Sequence, residues 1–191
     1  ILAGGPNTPG AAVTVTPQST SFQTELVKGD NQFIPDNDGR KLESTLVVDG
    51  FFVGQNITEV DNLQGICINL EHSQMRDLNI VLRCPSGQTV TLQNFNGSGG
   101  NAVELGQSNP NDDAAPRPGR GYEYCWKTPV TNNNWSDYVD TFNLDSLPIG
   151  EYRPFQSLNQ LLGCPLNGDW TLEVEDLNTG ENGYIFAWSL D

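Results

Sequence analysis

Two runs of alternating apolar residues stand close together in this chain. Ile66, Ile68 and Leu70 alternate with Cys67, Asn69 and Glu71; after a short polar turn, Leu78, Ile80 and Leu82 alternate with Asn79, Val81 and Arg83. A period of two puts every second side chain on one face of an extended backbone, so each run reads as a strand with one buried face. Together they read as a hairpin. The same alternation returns near the C-terminus in Trp170–Glu175 and again in Tyr184–Leu190. No stretch of about ten residues shows helical periodicity; the nearest, Phe155 to Leu162, is short and stops at Gly163-Cys164-Pro165. With 20 Gly and 12 Pro to punctuate short strands, the pattern predicts an all-β jelly-roll β-sandwich of two antiparallel sheets with long loops.

The organisation is simple. Residues 1–20 read as a linker or extended N-terminal arm, rich in Gly, Pro and Ala, with the β-branched run Val13-Thr14-Val15-Thr16 as a candidate strand that adds to a neighbouring subunit's sheet edge. Residues 21–191 read as the sandwich. Within it, residues 96–121 are almost all loop, and loops of that length in a compact domain are usually functional or ordered by a ligand. The chain starts at Ile1 without an initiator Met or signal segment, and its last strand stops one residue before its end, as in a trimmed or processed piece.

Charge narrows the partners. Nine Lys and Arg against 24 Asp and Glu give a net charge of −15. Such a surface repels nucleic acid and anionic membranes and attracts cations. No apolar run of about 18 residues is present to insert into a bilayer. Four cysteines at wide spacing, none in a Cys-x-x-Cys, favour disulfides over zinc or redox chemistry and hence an extracellular or cell-surface location. Cys67 has the outward parity of its strand and Cys84 the inward parity of the next, which argues against bridging them directly. Of the remaining pairings the expectation leans to Cys84–Cys164 with Cys67–Cys125.

Catalysis finds little support. His72, the one histidine, ends a strand on its core-facing side, and no nucleophile elbow accompanies it. Glu173 and Glu175 share a solvent-facing parity. The chain therefore reads as non-enzymatic. Hard-cation binding is better supported, because calcium wants several oxygens from carboxylates, amides and carbonyls. Asn109-Pro110-Asn111-Asp112-Asp113 and Asp36-Asn37-Asp38-Gly39 concentrate them. Asp77 begins one strand and Asp176 ends another, so antiparallel pairing brings their carboxylates to one end of the sandwich, where a cation relieves their repulsion. The metal candidates are Asp36, Asp38, Asp77, Asp112, Asp113 and Asp176. Trp135 and Tyr138, beside polar loops, are candidates for stacking on cell-surface glycans.

Five motifs occur in order: Ile66-x-Ile68-x-Leu70-x-His72, Asp77-Leu78-x-Ile80-x-Leu82, Cys84-Pro85-Ser86-Gly87-Gln88, Gly168-Asp169-Trp170-x-Leu172-x-Val174-x-Asp176 and Gly183-x-Ile185-x-x-Trp188-Ser189-Leu190. Over roughly residues 40–190 the chain resembles the P domain, or P/homo B domain, of proprotein-convertase-type proteases. With Gly121-Tyr122-Glu123-Tyr124-Cys125-Trp126 and Gly163-Cys164-Pro165-Leu166-Asn167-Gly168 it looks more narrowly like P-domain modules of large secreted or surface proteins of Bacteroidetes-type bacteria. The resemblance implies a galactose-binding-like jelly roll, paired disulfides at all four cysteines and bound calcium. It implies a non-catalytic, calcium-stabilised interaction or adhesion module whose partners are other subunits or domains of the same chain. The alternatives are a P domain stabilising an attached secreted serine or metalloprotease, and a carbohydrate-binding module.

Overall fold

The computed structural model describes residues 22–25, 33–97, 100–109 and 116–191. The candidate strand Val13–Thr16 and the ligands Asp112 and Asp113 lie outside these residues. Two sheets face each other. The first has five strands in the order β1 (Phe22–Glu25), β9 (Gly183–Leu190), β3 (Ile66–His72), β6 (Tyr122–Trp126) and β7 (Gly150–Tyr152). The second has four, in the order β2 (Leu42–Val48), β8 (Gly168–Asp176), β4 (Leu78–Arg83) and β5 (Thr89–Gln93). Every pairing is antiparallel except β6 with β7. This is the expected all-β sandwich.

The core follows the alternation. Ile66, Ile68 and Leu70 of β3 face Leu78, Ile80 and Leu82 of β4 across the gap between the sheets, all buried. Trp170, Leu172 and Val174 of β8 and Trp188 and Leu190 of β9 complete the same layer. Burying an apolar side chain of this size is worth about 1.5–3 kcal/mol, so these inward rows are the main stabilising term.

Three features depart from or settle the sequence reading. First, β3 and β4 do not form a hairpin. They belong to different sheets, and a 3₁₀ turn at Met75–Asp77, buried throughout, carries the chain across the end of the core. Second, a helix exists: α1 spans Trp135–Phe142. Asn134 caps it by accepting the Asp137 amide at 3.0 Å, and Asn143, at φ 49°, closes it in the left-handed conformation. Its apolar residues Trp135, Tyr138, Val139 and Phe142 have helical spacing, but two turns are too few to stand out beside the loops around them. Third, the bridges are Cys67–Cys125, across directly opposed residues of β3 and β6, and Cys84–Cys164, from the end of β4 to the loop before β8. This is the pairing toward which the sequence leans.

The edges are unequal. The outer edge of β5 is covered, because the amides of Phe155 and Gln156 donate to the carbonyls of Leu92 and Thr91 at 2.9 Å. The Asn132 side chain donates to the carbonyl of Glu151 on β7. At the far side of the second sheet, β2 pairs with β8 through seven consecutive residues without a bulge, and no described strand borders its other edge.

Candidate functional site

The end of the sandwich where β3 and β8 finish and β4 and β9 begin gathers the charged residues. Because β4 and β8 are antiparallel with Leu78 opposite Asp176, Asp77 is brought beside Asp176. The amide of Leu177 donates to the Asp77 carbonyl at 3.0 Å, locking the two strand ends together. Asp36 joins them from outside: it forms a parallel bridge with Asp176, and the Asn37 amide donates to the Asp176 carbonyl. Three of the six metal candidates, Asp36, Asp77 and Asp176, therefore lie at one end of the second sheet, Asp36 and Asp77 on either side of Asp176. Asp38 does not; it is exposed and ion-paired with Arg40.

The three carboxylates are held differently. Asp176 is 2% exposed and accepts from His72 Nε2 at 3.0 Å on Oδ2 and from the Asn178 amide at 3.1 Å on Oδ1. The other ring nitrogen of His72, Nδ1, accepts the Gln74 amide at 3.0 Å. Nε2 therefore carries the proton and donates it to Asp176, which fixes the ring orientation. Gly183 makes the arrangement possible. It lies opposite His72 in the β3–β9 ladder, and a Cβ there would stand 2.3 Å from His72 Cδ2 and 2.5 Å from the Glu71 carbonyl oxygen.

Asp77 is 1% exposed, yet one of its oxygens, Oδ1, has no hydrogen-bond partner. Its Oδ2 receives only a long contact from the Asn178 side chain, 3.5 Å. Burial, and next the Asp176 charge, push its pKa up from 3.8 to about 6; Glu181 adds to this, while Asn178 and His72 oppose it. Asp36 also has one engaged and one lone oxygen: Oδ2 accepts the Gly180 amide at 3.2 Å, and Oδ1 is buried without a partner among the described residues. Two buried carboxylate oxygens without donors among the described residues, beside a third carboxylate, leave charge that no described residue neutralises. Among the described residues no three His, Cys, Asp or Glu side chains are gathered closely enough to enclose a metal ion unaided. A hard cation here would rely on Asp36 and Asp77, with amide, carbonyl and water oxygens completing its shell.

Sequence reasoning missed His72, Asn178 and Gly180 as members of this end. The signal for them was the spacing of Asp176, Asn178 and Gly180 in one polar turn.

The other sites are placed as follows. Trp135 is fully buried, stacked on Trp126 with ring centroids 4.6 Å apart. It has no free face for a sugar, because α1 presses it into the core. Tyr138 is half-buried, edge-on to Tyr152 at 5.2 Å and tilted against Phe142 at 4.8 Å. His72 is fully buried with both ring nitrogens engaged, a packed structural residue as its strand parity suggests.

Comparison with known proteins places the chain. No curated protein matches it. Two solved structures of a serine protease from Aeromonas sobria, one of them in complex with the chaperone, are similar to it. Their identities are 19% and 18% and their TM-scores 0.45 and 0.41. They cover 90% and 94% of this chain but only 26% and 28% of the protease chains, so this chain spans about a quarter of their length. The proprotein convertase P-domain family matches residues 65–117 and 119–191, which include both His72 and Asp77 and the whole of β8 and β9. The chain belongs to the proprotein convertase P-domain family.

Proposed function

We propose that this P domain is a non-catalytic interaction module of an extracellular or cell-surface protein, stabilised by calcium at its acidic end. The observation that carries the calcium reading is the pair of buried, unpartnered oxygens on Asp36 and Asp77 beside the carboxylate of Asp176. A cation there would turn a repulsive cluster into a clasp joining the segment before β2, the start of β4 and the end of β8. Two disulfides support folding in an oxidising compartment. The partners are other subunits or domains of the same chain.

Thermal melting tests this directly. Wild type in calcium melts several degrees above wild type in EDTA, and Asp77→Asn loses that difference. Equal melting temperatures with and without EDTA would sink the calcium reading.

Family membership favours a second reading, in which the module stabilises an attached protease domain. A full-length precursor with a protease domain, whose thermal inactivation accelerates once the P domain is removed, would support it. The glycan reading keeps only Tyr138, since Trp135 is enclosed.

A further inference from the structure

We propose that the outer edge of β2, which no described strand borders, docks a second copy of this chain, the two β2 strands pairing antiparallel about a two-fold axis through Thr45, so that two four-stranded sheets join as one. The inference stands on the edge itself and does not rest on the calcium reading.

An unpaired strand edge offers a row of backbone donors and acceptors to another chain, and folded proteins usually blunt such edges with bulges, prolines or a covering segment. Two of the other edges conform: β5 is covered by residues 155–156, and β7 is three residues long and met by Asn132; β1, the remaining edge, spans only four residues. Among the described residues β2 has none of these devices: its sequence Leu-Glu-Ser-Thr-Leu-Val-Val contains no proline, and its register runs unbroken for seven residues. Its outward row is Glu43, Thr45 and Val47, all exposed, with Val47 at 65%.

The sequence of β2 complements itself most fully in the register centred on Thr45. Pairing about Thr45 sets Leu42 against Val48 and Ser44 against Leu46 on the inner face. On the outer face it sets Glu43 against Val47 and Thr45 against itself. At the ends, Lys41 comes beside Asp49 of the second copy, opposite in charge and repeated twice by symmetry. Sliding by one residue pair in one direction brings Glu43 against Asp49; one pair in the other sets Glu43 against Thr45 and Lys41 against Val47, and two pairs bring Glu43 against Glu43. The first and last oppose like charges, the middle one forfeits the Lys41–Asp49 pairing, and all three shorten the overlap. The central register also extends a threonine row already present, because Thr45 Oγ1 meets Thr171 Oγ1 at 3.1 Å within the chain. An edge of this length buries less than a standard interface of about 1,600 Å², so the dimer is weak and forms at high protein concentration.

Sedimentation equilibrium of the 191-residue chain up to about 1 mM tests this, with two variants at one exposed position. Val47→Glu faces Glu43 of the other copy twice and weakens the dimer about tenfold, whereas Val47→Lys faces the same Glu43 and strengthens it. Equal melting temperatures show that both variants fold. Oxidation of Thr45→Cys gives a cross-linked dimer, because the two positions are directly opposed, while Glu43→Cys does not. A chain that stays monomeric to 1 mM overturns the proposal. So do equal effects of the two Val47 variants, or equal cross-linking of the two cysteine variants. An association that disappears on removing residues 1–20 without cross-linking at position 45 overturns it in favour of the N-terminal arm.

Discussion

Asp77 is the residue on which the acidic end turns. Its pKa in the folded chain, about 6, exceeds its ordinary value of 3.8. The folded state thus holds the proton more tightly than the unfolded state, and stability from this group is present at low pH and lost as pH rises through about 4 to 6. The loss is on the order of 2–3 kcal/mol. In EDTA, therefore, Asp77→Asn raises the melting temperature at pH 7 and leaves it nearly unchanged at pH 4. A cation reverses the preference by favouring the carboxylate. The calcium increment in melting temperature is accordingly largest above pH 7 and shrinks below about pH 6, readable by differential scanning calorimetry across that range. His72 contributes on the other side of the cluster. His72→Ala leaves a cavity and strips one donor from Asp176 and an acceptor from the Gln74 amide, costing about 3–4 kcal/mol in urea denaturation. Gly183→Ala costs at least as much, since the new Cβ meets backbone as well as the imidazole.

At the scale of elements, what could be read in advance depended on how repetitive the signal was. β3, β4, β8 and β9 announce themselves because each carries alternating apolar residues over six or more positions, although β9 proves buried along most of both faces. The disulfide pairing was half legible for the same reason, since outward Cys67 and inward Cys84 follow from strand parity. The partners of those strands were not legible. Alternation says which face is buried but not which strand lies alongside, so the sequence pattern predicts a hairpin of β3 and β4 although they sit in opposite sheets. Helix α1 escaped because two turns bury only Trp135, Ser136 and Val139, and the Asn cap resembles an ordinary polar loop. That omission misdirected the reading of Trp135, which is a core anchor. Trp135→Ala is expected to cost about 3–5 kcal/mol by urea denaturation and to loosen α1 from the sheet. At the acidic end, Asp77 and Asp176 could be brought together from sequence because both sit at strand ends. The convergence of Asp36 could not, since it depends on a loop path that no periodicity encodes.

For the molecule as a whole, the two disulfides do what a modest apolar core cannot. They join residues 58 and 80 apart in sequence, loops long enough that each bridge restricts the unfolded chain by about 4 kcal/mol. Reduction with alkylation should lower the free energy of unfolding by several kcal/mol, and the reduced chain should depend more steeply on calcium than the oxidised one. The pairing of β1 with β9 has a mechanical consequence. Phe22 lies opposite Leu190, so a pull between residue 22 and residue 191 loads adjacent antiparallel strands at the same end. Their hydrogen bonds then break one at a time, like a zipper, at low force. Behind that yielding first step, Cys67–Cys125 and Cys84–Cys164 keep the tension from extending the full chain, so the domain would behave under load as a short compliant leader on a stop of fixed length.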